Sequence, residues 1–429
     1  MEAPGMAGAS WNWRDAGYES TGCVRPGGRL VWRLVPRSRV GLDTRLRTGL
    51  AAWQHVVHWC QNHGLQVMRR FGLPVLVTVA LMSVRVEAGG AVFLMIFPDA
   101  RTAALGGCGT ALTDLDANTY YNPASIALGT RVAATWTHIN WLPGLYPGMS
   151  YEHAGVAYRL DERRALAANV IYLTTGETDV IDEHGQTLGR YRPWDLSPSV
   201  TGAYRILPSL SAGGTLKAIY SLLVPSWVWE RMPELGIEYG GQGFTIALDC
   251  GALYRPFQCL SIGAALSNFG PGINYMDDGG TDALPAIARV GFAFSPRIPG
   301  AVQVALVSDA WRDLDRPMPR AGDFVHRWEQ VEHGVGLELR FARLASIRLG
   351  YFEDIVGQRG GIVVQNFGAT RHISLLRQLT KPLSGEVVGL GICWGVGVEF
   401  IGLKFDVGVD ENIYDFPTRN VRFQLSAGL

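Results

Sequence analysis

The chain has 429 residues, and its 38 Lys+Arg equal its 38 Asp+Glu, so its net charge gives no reason to expect a nucleic-acid partner. Charged residues make up 18% of the chain, against roughly 25% in soluble proteins, while glycine is abundant at 53 residues. Without a series of long apolar helices, this composition favours a membrane β-barrel over a helical membrane protein.

Residues 68–88 have the layout of a secretory signal peptide. Two arginines follow Met68, an apolar run comes next, and small residues precede a pair of glycines. The alternative, a transmembrane helix, needs about 20 apolar residues, which is more than this run offers. Since a signal peptide begins at the initiator, we expect translation to start at Met68 and residues 1–67 to be a mis-assigned extension. Mass spectrometry of the mature protein should then find cleavage after Ala88.

A set of potential metal ligands falls within that extension. His55, His58, Cys60 and His63 are of the residue types that bind zinc and other soft metals. Because the mature protein would lack this segment, we predict no metal site there.

The stretch Phe93–Leu128 directly precedes a long series of alternating segments and is too short and too rich in Gly, Ala, Thr and Asp to be a domain. It contains, in order, A-R-x-x-A-L-G-G, T-A-L-x-D and Y-x-N-P-A. This order and spacing resemble the start of the PorV/PorQ family, within the wider FadL-type group of outer-membrane β-barrels. Two later stretches, Phe244–Tyr275 and His333–Asp354, are similar to members of the same family.

The resemblance implies that residues 89–128 form a hatch, or plug, inside a barrel. Glycines in this segment would let the backbone turn tightly within a narrow lumen. The motif residues expected to carry the hatch are Arg101, Gly106, Gly107, Asp114, Asn122, Pro123 and Ala124.

Period-2 alternation follows the hatch and indicates strands with two different faces. In one segment Val335, Leu337 and Leu339 alternate with Gly336 and Glu338. Large apolar side chains on one face and small or charged ones on the other suit lipid outside and a polar lumen inside. About fourteen such segments are present, each near the ~9–11 residues of a tilted membrane strand. They lie near 129–141, 151–160, 164–175, 198–206, 209–220, 241–255, 257–269, 285–296, 300–309, 332–342, 344–354, 385–399, 400–410 and 419–429.

The connections between these segments alternate between long and short. Outer-membrane barrels show this asymmetry, with tight periplasmic turns and long external loops. A soluble β-sandwich would share the alternation within strands but has no reason to alternate its loop lengths. The prediction is therefore an all-β fold, a transmembrane antiparallel β-barrel of about 14 strands over residues 129–429, preceded by the hatch at 89–128.

Charged side chains on the inward face could form a catalytic pair or an ion filter, or could pair with one another and with the hatch. We favour the pairing, with Arg101, Asp114 and Asp116 of the hatch as partners. The inward charges are Asp249, Arg289, Glu338, Arg340, Arg348, Glu399, Lys404 and Asp406. No G-x-S-x-G, H-E-x-x-H or C-x-x-C motif occurs after residue 88, so we predict no enzyme, no cofactor and no metal.

The predicted external loop 221–240 carries the large apolar side chains Trp227, Trp229, Met232 and Leu235. They could form an aromatic girdle or pack the loop over the barrel mouth. They could equally form a docking surface for another protein, because aromatic residues are favoured interface anchors.

The family resemblance implies a non-enzymatic outer-membrane protein of type IX-like secretion in a Gram-negative-type bacterium. PorV-like proteins receive exported cargo at the translocon and pass it to a surface attachment complex, so the implied partners are cargo, translocon, attachment components and outer-membrane lipid. The alternative is a FadL-like passive transporter of hydrophobic small molecules, which needs an apolar pocket contacted by the N-terminal segment. A purely structural barrel is a third possibility. A filled lumen would favour export, and a continuous apolar cavity opening outside would favour transport.

Overall fold

The computed structural model describes residues 90–237, 239–276, 280–298, 300–314, 323–342, 344–366, 368–410 and 419–428, together with the backbone of two upstream strands. The chain divides into two compact units, Met1–Ala80 and Leu81–Leu429. In the first, strand β1 (Tyr18–Val24) pairs antiparallel with β2 (Leu30–Pro36). The predicted signal peptide and the His55–His63 cluster lie outside the described residues, so both stay predictions, as does the mis-assigned extension.

Within the described residues of the second unit, fourteen antiparallel strands form one closed sheet. The first of them pairs with the last, so that Trp136 lies opposite Leu425. Closure leaves no unpaired edge, as a β-structure in lipid requires. The predicted all-β fold, an antiparallel barrel of about 14 strands, is confirmed. The barrel strands and the short strands in the loops are, in chain order, β3 (Val132–Asn140), β4 (Met149–Arg159), β5 (Arg164–Thr175), β6 (Thr178–Ile181), β7 (Thr187–Tyr191), β8 (Trp194–Leu207), β9 (Leu210–Leu222), β10 (Gln242–Phe257), β11 (Leu260–Phe269), β12 (Ile287–Phe294), β13 (Val302–Asp313), β14 (Glu332–Phe341), β15 (Ala345–Asp354), β16 (Arg359–Gly360), β17 (Ile362–Asn366), β18 (Ala369–Ile373), β19 (Glu386–Leu390), β20 (Ile392–Phe400), β21 (Leu403–Val409) and β22 (Val421–Gly428).

The barrel wall separates apolar from polar side chains residue by residue. On β14, Val335 and Leu337 are exposed on the outside, whereas Gly334, Gly336 and Glu338 are buried in the lumen. The same alternation runs through β10 and β20, as expected for a sheet with lipid on one face. Among the described residues, no helix has both the length and the apolar character needed to cross a membrane.

Residues 90–128, hereafter the hatch, lie inside the barrel. They contain a 3₁₀ helix at Val92–Met95, helix α1 (Ala100–Ala104) and a second 3₁₀ helix at Pro123–Ala127. The Asp99 carboxylate accepts a hydrogen bond from the Thr102 N–H and so caps α1. The core of the protein is therefore the lumen itself, where hatch residues such as Leu105 and Tyr121 pack against inward side chains of the wall.

Loop length alternates around the barrel as predicted. Turns at one end are short, and the connections at the other end contain structures of their own. These are the hairpin β6–β7, the three-stranded sheet β18–β17–β19 and the helices α2 (Ser226–Arg231), α3 (Phe324–Trp328) and α4 (Leu375–Thr380). In outer-membrane barrels the short turns face the periplasm and the long loops face outward, so we name the two ends of this barrel the periplasmic and the external end.

Two predicted boundaries are wrong. The segment predicted as one strand at 385–399 is two strands, and β19 leaves the barrel to join the external sheet. The break falls at Gly391, where an added Cβ would lie 2.2 Å from the Phe352 carbonyl oxygen, so the backbones meet too closely for any other residue. The segments predicted to adjoin at residue 400 are joined by a turn, Ile401–Gly402, in which both φ angles are positive.

Candidate functional site

The hatch packs directly against the inner wall of the barrel, and glycines make this close contact possible. Cβ atoms added at Gly334 and Gly336 of β14 would lie 2.2 Å from the Gly106 carbonyl oxygen and 2.6 Å from the Leu105 Cβ. A Cβ at Gly408 of β21 would lie 2.1 Å from the Ala100 carbonyl oxygen. The small inward residues of the sequence are thus sites where hatch backbone touches wall backbone.

Gly213→Ala in β9 should destabilise the folded barrel by about 1–3 kcal/mol, the usual cost of overpacking. Its Cβ would lie 2.6 Å from the Pro123 carbonyl, and backbone atoms cannot turn aside as a side chain can. The matched control is the neighbouring Gly214→Ala, which faces the other way and meets nothing closer than 3.6 Å. Denaturant unfolding in detergent micelles measures both. Equal midpoints for the two variants would show that the hatch does not touch the wall there.

The predicted motif glycines end the hatch helix. Gly106 and Gly107 have φ angles of 71° and 81°, a region that favours glycine, and their N–H groups donate to the Ala103 and Thr102 carbonyls. An added Cβ at Gly106 would lie 2.4 Å from the Tyr351 carbonyl oxygen. The chain can therefore reverse here only because both positions lack a side chain.

The predicted ion pairs between hatch and wall are present at the periplasmic end of the lumen. Arg101 donates two hydrogen bonds of 2.9 Å to Glu338 and a third, of 3.0 Å, to Asp114. Arg340 also bonds both carboxylates, and Arg348 joins Glu338 to Asp406. Three cations thus face three carboxylates. Burial alone would raise the pKa of the Asp114 carboxyl. The neighbouring Arg101 and Arg340 nevertheless hold that pKa well below its usual range.

A second pair closes the same end of the lumen. The Lys404 ammonium lies 2.9 Å from the Asp116 carboxylate, as the sequence predicted for the inward charges and the hatch. Glu399 lies nearby, half-buried, on the lining of a small cavity that Lys404 and Asp116 share.

The Asn122-Pro123-Ala124 motif fixes the last part of the hatch. The fully buried Asn122 amide donates to the Thr110 carbonyl of the hatch and the Ala252 carbonyl of β10, at 2.9 and 3.0 Å. Its side-chain oxygen accepts from the Ala124 N–H and so caps the second 3₁₀ helix, with Pro123 at the first turn. One side chain therefore joins two hatch segments to the wall.

Arg289 is held by aromatic rings. Its guanidinium carbon lies 5.3–5.6 Å from the ring centres of Phe97, Tyr120, Tyr121 and Trp311, which is within range for cation–π attraction. The sequence marked Arg289 as an inward charge, but its four aromatic neighbours come from separate parts of the chain, and no local pattern links them. This cage ties the outer half of the hatch to β12 and β13.

The predicted external loop lies between β9 and β10 and contains α2. Trp227 is half-buried, packing at 6.2 Å edge-to-face on Tyr191 of the β6–β7 hairpin with the Arg231 guanidinium 4.9 Å from its ring. The Trp229 indole donates a 2.8 Å hydrogen bond to the Gly240 carbonyl. The remaining predicted residues differ in exposure, since Met232 is half-buried and Leu235 is 49% exposed. The two tryptophans therefore pack the loop, and Leu235 presents an apolar surface outside.

A cavity of 620 Å³ lies above the hatch at the external end, and we call it the outer cavity. Its floor is formed by hatch side chains including Phe93, Ile96 and Phe97, and its sides by the ends of barrel strands and the long loops. No sequence pattern identifies its acidic residues, because Asp195 and Asp282 lie at separate strand ends and loops that only the closed barrel brings together. Of the hatch motif residues, Gly106 and Gly107 line this cavity, as does Leu223 at the start of the loop between β9 and β10 (the α2 loop).

Comparison with known families matches residues 81–314, more than half of the chain, to the model for the type IX secretion system protein PorV. A comparison with curated proteins finds no match. Among solved structures, the toluene transporter TodX of Pseudomonas putida is 13% identical, with a TM-score of 0.42, over 80% of this chain and 98% of that one. A FadL homologue of Pseudomonas aeruginosa is 9% identical, with a TM-score of 0.38, over 80% and 99%. At these scores the two likenesses carry no conclusion about activity.

Proposed function

This chain belongs to the PorV family of type IX secretion system proteins, and from that premise we propose that it is a non-enzymatic outer-membrane barrel that binds exported proteins at its external loops and hands them to surface attachment. Its partners in this role are cargo, the translocon and attachment components, with outer-membrane lipid around the wall. The observation that carries the proposal is that the hatch closes the lumen below the outer cavity, where ion pairs near Asp114 and the Arg289 cage fasten it to the wall.

Because the hatch closes the lumen, the external face is the part of the barrel that is available to bind other proteins. The alternative, a FadL-like passive transporter of hydrophobic molecules, needs an apolar route from the outer cavity to the lumen exit or the wall. Below the cavity lie Leu105, Cys108 and Tyr121, which are all fully buried, and the paired strands close the wall around them. This arrangement weighs against passage and in favour of binding.

The external loops are held together as a platform. Glu329, next to α3, receives a 2.6 Å hydrogen bond from the Arg377 guanidinium of α4 and a 2.9 Å bond from the Ser374 hydroxyl. Burial alone would raise the pKa of the Glu329 carboxyl, but these hydrogen bonds keep that pKa below its usual range. Because the carboxylate is buried and bridges two loops, the platform is preformed, which lowers the entropic cost of binding a partner.

We place the docking surface on the α2 loop, around Leu235 and Tyr239, which are 49% and 68% exposed. Trp227 and Trp229 support this surface from behind, since both pack within the loop layer. Exposed apolar side chains held on a rigid base are the usual anchors of protein interfaces.

The double variant Leu235→Asp/Tyr239→Asp should reduce the amount of exported protein that co-purifies with the barrel by at least about tenfold, because two charges would have to be desolvated at the contact. Trp227→Ala/Trp229→Ala should do the same by loosening the loop. The matched control is Leu207→Asp, which has 54% exposure at the periplasmic end and should capture exported protein like the wild type. Pull-down from cells with a type IX translocon is the measurement. Undiminished capture by both double variants would refute the docking surface.

A further inference from the structure

We propose that the outer cavity binds a basic side chain, Lys or Arg, flanked by apolar residues of an exported polypeptide. This inference rests on the proposed function and names the chemistry of the segment that the external face recognises. It draws on the shape and apolar floor of the outer cavity, on its unbalanced charge and on its continuity with the α2 loop.

The cavity has the size and lining of a ligand site. Its 620 Å³ falls within the range of about 300–1,000 Å³ typical of such sites. Hatch residues Phe93 and Ile96 line the cavity together with Trp141 and Leu173 of the wall region, so the floor of the cavity is apolar. Val92 of the hatch lines the cavity and is 63% exposed although the hatch lies in the lumen, so there is room for water or a ligand beside it.

The charged groups on the lining are unbalanced. Asp354 pairs with Arg359, and Asp410 pairs with Arg422. Asp195 and Asp282 also line the cavity, and among the described residues neither has a cation as partner. Asp195 accepts a hydrogen bond from the Ser221 hydroxyl. The lining therefore carries two carboxylates more than it has cations.

Asp410 is a third carboxylate on the lining, but Arg422 already pairs with it. Within the described part of the chain, Asp195 and Asp282 thus offer acceptor oxygens without a cation to the same space, above an apolar floor. A ligand with a positive end and an apolar body satisfies both parts of the cavity, whereas an anionic ligand would add like charge.

The position of the cavity favours a polypeptide as the source of that cation. Leu223 lines the cavity and begins the α2 loop, whose far end is fixed by a 2.8 Å hydrogen bond from the Gly241 N–H to the Tyr275 carbonyl. Tyr275 lines the cavity as well. A chain docked on Leu235 and Tyr239 would therefore lie on the same loop that borders the cavity, and we place one of its side chains inside.

The test uses the full-length barrel in nanodiscs and three peptides that differ at one residue: acetyl-Phe-Lys-Leu-amide and its Gln and Glu counterparts. Binding is measured by isothermal titration calorimetry at low salt. We expect the Lys peptide to bind at least about tenfold more tightly than the Gln peptide, and the Glu peptide to bind most weakly. Asp195→Asn/Asp282→Asn should abolish the preference for Lys and leave the affinity for the Gln peptide unchanged, because asparagine keeps the shape and the Ser221 contact.

The matched control is Asp179→Asn/Asp182→Asn, an exposed and a half-buried acid of the β6–β7 hairpin region that do not line the cavity, and it should keep the full preference for Lys. Equal affinity for the Lys and Gln peptides, or an unchanged preference in Asp195→Asn/Asp282→Asn, would overturn the inference. Binding of free phenethylamine as tight as that of the Lys peptide would overturn the assignment to a polypeptide. If these tests fail while Leu235→Asp/Tyr239→Asp still loses exported protein, the cavity proposal falls and the proposed function stands.

Discussion

Arg101→Met should loosen the hatch, so that backbone amides of residues 100–116 exchange with solvent about a hundredfold faster than in the wild type. The substitution leaves three carboxylates facing two cations in a buried cluster. Removing one partner of a buried ion pair costs about 3–5 kcal/mol. We expect the lower end of that range, because Glu338 keeps Arg340 and Arg348, and about 3 kcal/mol corresponds to roughly two decades in exchange rate.

Hydrogen–deuterium exchange with mass spectrometry resolves the hatch from the wall strands, whose exchange should stay as in the wild type. Arg101→Met/Asp114→Asn removes one charge of each sign and should restore most of the protection. Arg101→Lys keeps the charge but loses the two parallel bonds to Glu338, so an intermediate rate is expected. A wild-type exchange rate in Arg101→Met would mean that the ion cluster does not fasten the hatch.

Lys217→Met should lower the free energy of unfolding of the whole barrel by about 3–5 kcal/mol. Lys217 on β9 and Asp249 on β10 form an ion pair of 2.8 Å inside the lumen, with side chains 6% and 1% exposed. The Lys217 ammonium also donates a 2.7 Å hydrogen bond to Asn268, whose N–H in turn donates to Asp249 at 2.8 Å. The variant would leave the Asp249 charge buried without its counterion.

Two comparisons make this prediction specific, and both are measured as denaturant midpoints in detergent micelles. Lys217→Met/Asp249→Asn removes both charges and keeps the acceptor for the Asn268 N–H, so it should recover most of the lost stability. Arg190→Met breaks an ion pair with Asp179 whose side chains are 67% and 46% exposed, and it should change stability by less than about 1 kcal/mol. If Lys217→Met and Arg190→Met lower the denaturant midpoint equally, water in the lumen screens the charges there, and the prediction is wrong.

The barrel could be predicted because its signal is local and repeats. Alternation within a strand, as in Val335 to Glu338, follows directly from a wall with lipid on one side. Loop lengths then indicated an orientation, and the resemblance to the start of the PorV/PorQ family, carried by residues such as Arg101, Asp114 and Asn122, predicted the hatch. That inward charges such as Lys404 pair with hatch charges such as Asp116 could also be predicted, because charges inside a narrow lumen need partners, but the individual pairs could not.

What the sequence did not reveal depends on contacts between distant segments. The external strand β19 continues the alternation of β20, and only the close approach of Gly391 to Phe352 separates the two. The cage around Arg289 joins residues from the hatch and from β13, so no window of the sequence contains it. The outer cavity is likewise defined by loops whose positions follow from closure of the barrel.

The account as a whole depends on a lumen that the hatch keeps shut, and the permeability of wild-type protein in planar bilayers and proteoliposomes tests this most directly. We predict no steady ion conductance, and no uptake of sugar above that of protein-free vesicles. Deletion of residues 90–128, with folding verified by circular dichroism, should produce a conductance in the same assay. A wild-type barrel that conducts ions or carries sugar across the bilayer would contradict the account and favour a transporter.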